Sequence, residues 1–295
     1  MNASAKSTHP PEITPASPPA GFTSATARVN GIQLHYVLGG NGEPVVLLHG
    51  WPQTWYEWQR LLEPLAAHYS VIVPDLRGFG ASEKPATGYD TRTLAEDIHS
   101  LVQHLGLSRI RLVGHDIGLM VAYAYAAAYP TEVHKLVILD APLPGVEPVW
   151  SLVKASRWHF GFNATPHLAE QLLAGRERYY LEYMYTTSAF NKTAFTAAEV
   201  DEFVRSYAAP GAMGASLQIY QAFDTSAAQN QRSALTKLPM PVLALGGDHS
   251  FGPKIVAMAE LVATDVSGGS IPNCGHWVAE ENPEYLLAQL LAFLP

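Results

Sequence analysis

Residues Arg109 to Pro130, RIRLVGHDIGLMVAYAYAAAYP, constrain this chain more than any other stretch. The β-rich run Ile110 to Val113 spells a strand, and Gly114-His115-Asp116-Ile117-Gly118 spell a sharp turn. An Ala-rich run then reads as a helix that Pro130 stops. Glycines at the first and last turn positions let the turn tighten and the helix come close, which lifts the central side chain above the sheet edge. That side chain is Asp116. A carboxylate there can attack carbon by displacement and leave an alkyl ester on the protein, where a serine would acylate. The competing use of an Asp at this place is to cap the helix.

Further apolar strands recur at Val45, Val71 and Leu136, separated by helical stretches, so the class is α/β with a parallel sheet covered on both faces. Arg28 to Val37 alternates around Asn30-Gly31 and reads as a hairpin at the start of the sheet. The run Val45 to Leu48 opens into His49-Gly50-Trp51-Pro52, a loop whose Trp51 N–H can join that of Ile117 in an oxyanion hole. Near the C-terminus, Asn273-Cys274-Gly275-His276-Trp277 places a histidine on a loop before a helical tail. Nucleophile first, acid between and histidine last is the chain order of the α/β-hydrolases. Through HGWPQTWYEW, DLRGFGASEKP, GHDIG and CGHW, from about Phe22 to the C-terminus, the sequence resembles the epoxide hydrolase and dehalogenase branch of that superfamily.

Length and composition set no obstacle. With 295 residues, 48% of them hydrophobic, the chain can bury one substantial core, with or without an insertion. The 18 basic and 26 acidic residues make it mildly acidic, which argues against nucleic acid or an anionic membrane surface as partner. The single Cys274 excludes internal disulfides, and no apolar run approaches the ~20 residues that span a bilayer. Residues 1–21, rich in Pro, Ser, Thr and Ala, lack the apolar centre of a secretory signal and read as a disordered extension on a cytoplasmic protein. Oligomeric state has no signature, and a homodimer stays open.

Between residues 143 and 236 the strands stop, and Leu168 to Tyr185 and Thr196 to Ala208 read as helices. This is the expected helical cap, inserted into a core of residues 22–142 and 237–295. Prolines 142, 144 and 148 mark its entry, and Leu238-Pro239-Met240-Pro241 returns the chain to the strand at Val242. No GxSxG lies at a strand-to-helix turn, since GGSIP at Gly268 follows no such pattern.

Two acids compete to orient His276. Asp140 directly follows the strand ending at Leu139, where dehalogenases and some epoxide hydrolases of the resembled family carry their acid. Asp248 follows the later strand, but counting the family's GxxD from Gly247 lands on Ser250. Asp140 is favoured and Asp248 is the alternative. The resemblance also implies two proton donors from the cap, which align with His159 in SRWHFGF and Tyr220 in LQIYQAF; Tyr179, Tyr180 and Tyr183 are fallback donors. The expected substrate neighbours are His49, Trp55, Phe79, Trp158 and Trp277, with Trp51 and Trp58 as further lining; His49 and His115 also suit packing or orienting roles in tight turns.

The resemblance thus implies an epoxide hydrolase. Asp116 would open an apolar or aromatic epoxide to a hydroxyalkyl ester, and water activated by His276 would release a vicinal diol, with no metal or organic cofactor. The alternative is a haloacetate or haloalkane dehalogenase with the same nucleophile. Against it, Ile117 and Met120 stand where haloacid-type relatives carry arginines, and Ile117 where haloalkane-type relatives carry Trp. A third reading is a ligand-binding homologue without catalysis.

Overall fold

A computed structural model describes residues 16–295, so most of the expected N-terminal extension lies outside the described residues. The Asn30-Gly31 hairpin forms: β1 (Phe22–Val29) pairs antiparallel with β2 (Ile32–Gly39), Val29 opposite Ile32. Asn30 at φ 43° and Gly31 at φ 80° supply the two positive-φ residues such a two-residue connection needs.

Alternation follows, through β3 (Pro44–Leu48), α1 (Gln59–Ala66), β4 (Ser70–Pro74), α2 (Thr91–His104), β5 (Ile110–His115), α3 (Ile117–Ala128) and β6 (Val133–Leu139). Then come α4 (Val149–Ser156), α5 (Trp158–Ala164), α6 (Leu168–Leu173), α7 (Glu177–Ser188), α8 (Ala197–Tyr207), α9 (Ala212–Gln221) and α10 (Phe223–Ser233), with no strand among them. The chain returns through β7 (Val242–Gly247), α11 (Lys254–Val262), β8 (Val266–Ile271), α12 (Val278–Glu281) and α13 (Pro283–Phe293). Among the described residues the sheet order is β1-β2-β4-β3-β5-β6-β7-β8, antiparallel at the first two pairings and parallel at the rest.

Successive strand side chains point to opposite faces. Val46, Leu48, Leu112, Leu136 and Ile138 meet α2 and α3 on one face. Val45, Leu47, Val113, Val137 and Leu139 meet Trp55, Trp58, α1 and α13 on the other. Covered on both faces, β3 (PVVLL) and β4 (SVIVP) read in sequence as nearly continuous apolar runs. The apolar helix α3 has ten of its twelve residues buried, because it lies between the sheet and neighbouring helices. This burial anchors the turn that precedes it.

One expected element divides. Leu168 to Tyr185 is two helices, because Gly175 at φ 74° sits just past α6 and ends it in the left-handed conformation that costs glycine little. Strand β8, VSGGSI, carries no apolar alternation; it takes its register from β7. Gly268 is obligatory there, since at φ 139° a Cβ would stand 1.9 Å from the Ala244 carbonyl oxygen. No helix of the described residues is long and apolar enough to cross a membrane.

Candidate active site

The β5–α3 turn holds Asp116 at φ 50° and ψ −120°, a conformation that costs a residue with a side chain about 1–3 kcal/mol. The flanking glycines let the turn close that tightly. A Cβ on Gly114 would come 2.3 Å from the Gly118 carbonyl oxygen, and one on Gly118 would come 2.2 Å from that of Leu48. The Asp116 carboxylate makes no capping hydrogen bond to α3. Its Oδ1 instead accepts from the Trp51 N–H at 3.0 Å, across from the loop after β3. Ile117 is the first residue of α3, so helix geometry gives its N–H no intrahelical partner.

His276 completes the arrangement from the loop after β8. Its Nδ1 is 2.8 Å from Asp140 Oδ2, and its Nε2 is 3.5 Å from Asp116 Oδ2. Asp140, just past β6, is buried and receives the Gly247 N–H (2.8 Å) and Phe251 N–H (3.2 Å) at Oδ1 and the Ser250 hydroxyl (2.7 Å) at Oδ2. Asp248 does not reach His276. It accepts the N–H groups of Asn273 and Cys274 at 3.0 Å each, closing the turn that carries the histidine loop. The serine at the GxxD position therefore supports the acid after β6.

Burial opposes charge at both His276 and Asp116, but their mutual attraction wins. The Asp116 and Asp140 carboxylates push His276 up to about 10, and His276, with help from His115 and the Trp51 N–H, holds Asp116 down to about 2. His115 orients rather than faces the cavity. Its Nε2 lies 2.9 Å from the His276 carbonyl oxygen and its Nδ1 2.9 Å from Glu57 Oε1. Glu57 also accepts the Gly50 N–H at 2.7 Å, so one buried carboxylate braces both loops.

The cap closes over this rim. His159 of α5 lies parallel to the Trp51 ring at 6.5 Å, and Tyr220 of α9 meets Trp51 edge-on at 5.3 Å. Both line a cavity of about 40 Å³ with Asp116, Asp140, His276, Trp51 and Trp277. Phe160, Met184, Arg157 and Ser250 contribute as well. Burial lowers His159 to about 4 despite the pull of Asp116, so its imidazole is neutral at pH 7. Burial and the Asp116 charge push Tyr220 well above its usual range. Both side chains can therefore donate a hydrogen bond without carrying charge.

Five residues expected at the substrate lie elsewhere. His49 is buried under its own loop, its Nε2 accepting the Leu76 N–H at 3.0 Å and its ring against Phe79. Phe79 belongs to the core, and Trp55 and Trp58 to the core on the opposite sheet face. Trp158 is 54% exposed, because one residue's step turns it about 100° around α5 from His159. Of the fallback donors, Tyr179 and Tyr183 are exposed, and Tyr180 gives its hydroxyl to Asn163 Oδ1 at 2.6 Å. Ser250, Glu57 and Asn163 had no part in the sequence expectations as side chains of the site. Asn163 follows His159 by four residues on α5, so helical spacing puts it on the same face.

The sequence profile described as alpha/beta hydrolase fold matches residues 43–283. The chain belongs to the α/β-hydrolase fold family. This α/β hydrolase is 39% identical over 282 residues to the soluble epoxide hydrolase of Corynebacterium sp. (strain C12), covering 92% of this chain and 97% of that protein. The crystal structure of wild-type Cfl2 from Burkholderia cenocepacia superposes with a TM-score of 0.89 at 38% identity, over 96% of this chain and 100% of that one. Similarity extends to the fluoroacetate dehalogenase of Burkholderia sp., at 29% identity over 93% of this chain and 94% of that protein.

Proposed function

We propose that this α/β hydrolase opens epoxides to vicinal diols through a covalent ester on Asp116. One observation carries the reading: Asp116 Oδ1 rests on the Trp51 N–H, while Oδ2 faces His276 beneath two uncharged donors, His159 and Tyr220. Oδ2 forms a bond to an epoxide carbon as the ring C–O bond breaks. The electron pair moves to the ring oxygen, which takes the Tyr220 proton with a second hydrogen bond from His159. Oδ1 becomes the ester carbonyl oxygen, already on the Trp51 N–H, and the Ile117 N–H at the start of α3 is the second donor for the oxyanion.

Esterification removes the Asp116 charge, one of the two that hold the His276 proton. His276 returns that proton to the Tyr220 phenolate and becomes the base for the second step. It takes a proton from water as the hydroxide adds to the ester carbonyl carbon. Collapse breaks the ester C–O bond: His276 protonates the departing diol oxygen and takes back the proton of the new Asp116 carboxyl, which restores the carboxylate and leaves His276 protonated as at the start. Asp140 holds the imidazole orientation throughout. The ligands are an apolar or aromatic epoxide and water, and the buried lone thiol Cys274 suits a reducing cytoplasm.

The relationship to a fluoroacetate dehalogenase favours one second reading, halide displacement by the same carboxylate. Mass spectrometry of His276→Gln separates the two. With styrene oxide, an Asp116 adduct heavier by the intact epoxide is expected. Labelling by haloacetate alone would make the enzyme a dehalogenase, and no label from either would overturn the Asp116 assignment.

A further inference from the structure

Tyr220 can serve the ring oxygen only if its hydroxyl hydrogen points into the cavity. A phenol has one hydrogen and can both donate and accept, so its orientation depends on its neighbours. A hydrogen-bond acceptor beside the hydroxyl would take that hydrogen, and a donor would leave it free for the substrate.

Asn163 is the neighbour that decides. It is fully buried on α5, which packs against the Tyr220 helix α9. Its Oδ1 is occupied by the Tyr180 hydroxyl at 2.6 Å. Its Nδ2 is buried and, among the described residues, has no partner at full hydrogen-bond geometry. Tyr220 is the hydroxyl within this amide's neighbourhood: Asn163 lies one turn beyond His159 on α5, and the His159 and Phe160 rings of that helix stand 6.2 and 5.7 Å from the Tyr220 ring. Tyr180 thus selects which end of the amide Tyr220 meets. We propose that Asn163 is a positioning residue for Tyr220: its amide N–H groups, turned by Tyr180, face the Tyr220 oxygen and leave the phenol hydrogen for the substrate oxygen. The same N–H groups support the phenolate that exists between proton donation and its reprotonation.

The inference rests on the epoxide-opening reading, and the steps of that reaction separate the two. Asn163→Asp keeps an acceptor for Tyr180 and replaces the donor facing Tyr220 with an acceptor. Single-turnover mixing with styrene oxide, quenched and read by mass spectrometry, gives the rates of Asp116 ester formation and decay. Asn163→Asp should slow formation at least about tenfold and leave decay within about twofold. In a Tyr220→Phe background it should add less than about twofold, because its effect passes through the phenol. Should Asn163→Asp fold poorly, Tyr180→Phe, which frees the amide to turn over, should produce a smaller slowing of formation alone. Equal slowing of both steps, or effects that multiply in the Tyr220→Phe background, would overturn the positioning role. A wild-type chain that forms no ester with styrene oxide would instead overturn the epoxide reading itself.

Discussion

Asp140 at the rim of the sheet and Tyr220 in the cap are both buried, yet they are held in opposite ways. Asp140 receives two backbone N–H groups, the Ser250 hydroxyl and His276. The strand ends that carry those donors are fixed by the parallel ladder, so the carboxylate has little freedom. Tyr220 is held mainly by the rings of Trp51, His159, Phe160 and Phe223. Ring contacts define a place but are weakly directional, and other cap side chains can satisfy them. On the proposed reading, the rim carries the ester chemistry, and helices α4 to α10 carry the proton donors and shape the cavity above it.

Separable effects on the two steps test that division. Asp116→Ala should abolish ester formation and lower diol production from styrene oxide by at least about 10⁴-fold. Asp140→Asn should leave the ester forming but slow its decay on the order of 10³–10⁴-fold, seen as adduct that accumulates under turnover. Tyr220→Phe should slow formation by roughly 10²-fold or more and leave decay nearly unchanged, because without the phenol the ring-opened alkoxide takes the His276 proton and the base still forms. If Tyr220→Phe slowed decay as much as formation, cap and rim would be one mechanical unit and the contrast would fail.

The same contrast explains what could be read in the sequence. The rim was legible because each of its parts announces itself locally. A tight turn needs Gly114 and Gly118, the β3 run ends in HGWP, and His276 comes last in a fixed chain order. The preference for Asp140 over Asp248 came from its place at a strand end, and the geometry around His276 has the same form. The cap was harder. His159 and Tyr220 were aligned by resemblance, whereas Trp158, Trp55 and Phe79 were expected at the cavity because they are large and aromatic. Size and aromaticity suit a core equally well, and only packing distinguishes the two. Asn163 was silent because nothing in SRWHFGFN marks an amide whose partner, Tyr180, lies on another helix.

Charge gives a smaller effect that still divides rim from cap. His276 is pushed up to about 10 in the folded chain, against about 6.5 when unfolded. A raised pKa contributes stability that is full below about pH 6.5 and is lost as the pH rises through about 10. The advantage in thermal midpoint of the wild type over His276→Gln should therefore shrink steadily across that window. Asp116, held at about 2, loses its share only as the pH falls below about 3.9 and through about 2, outside the window. Tyr220 keeps its proton throughout, so the gap between the wild type and Tyr220→Phe should stay flat. A constant gap for His276→Gln would mean that the imidazole enters no ion pair with the two carboxylates.

The smallest expected effect belongs to Asp248. Its side chain is partly exposed and ties down the Asn273 and Cys274 N–H groups, three and two residues before His276. Burial opposes its charge, but the Cys274 and Asn273 N–H groups, with His249, together hold its pKa below the usual carboxylate range. Asp248→Asn keeps one carbonyl acceptor and sets an amide N–H against the second backbone donor. The cost should be about 1 kcal/mol of stability, read as a shifted denaturation midpoint, with ester decay within about twofold of the wild type. The comparison with Asp140→Asn is what matters, because both substitutions remove one charge at a strand end near the same histidine loop. If charge near the loop were enough, both would slow decay alike. If the direct 2.8 Å contact to Nδ1 is required, only Asp140→Asn will, and Asp248 is the anchor of the loop.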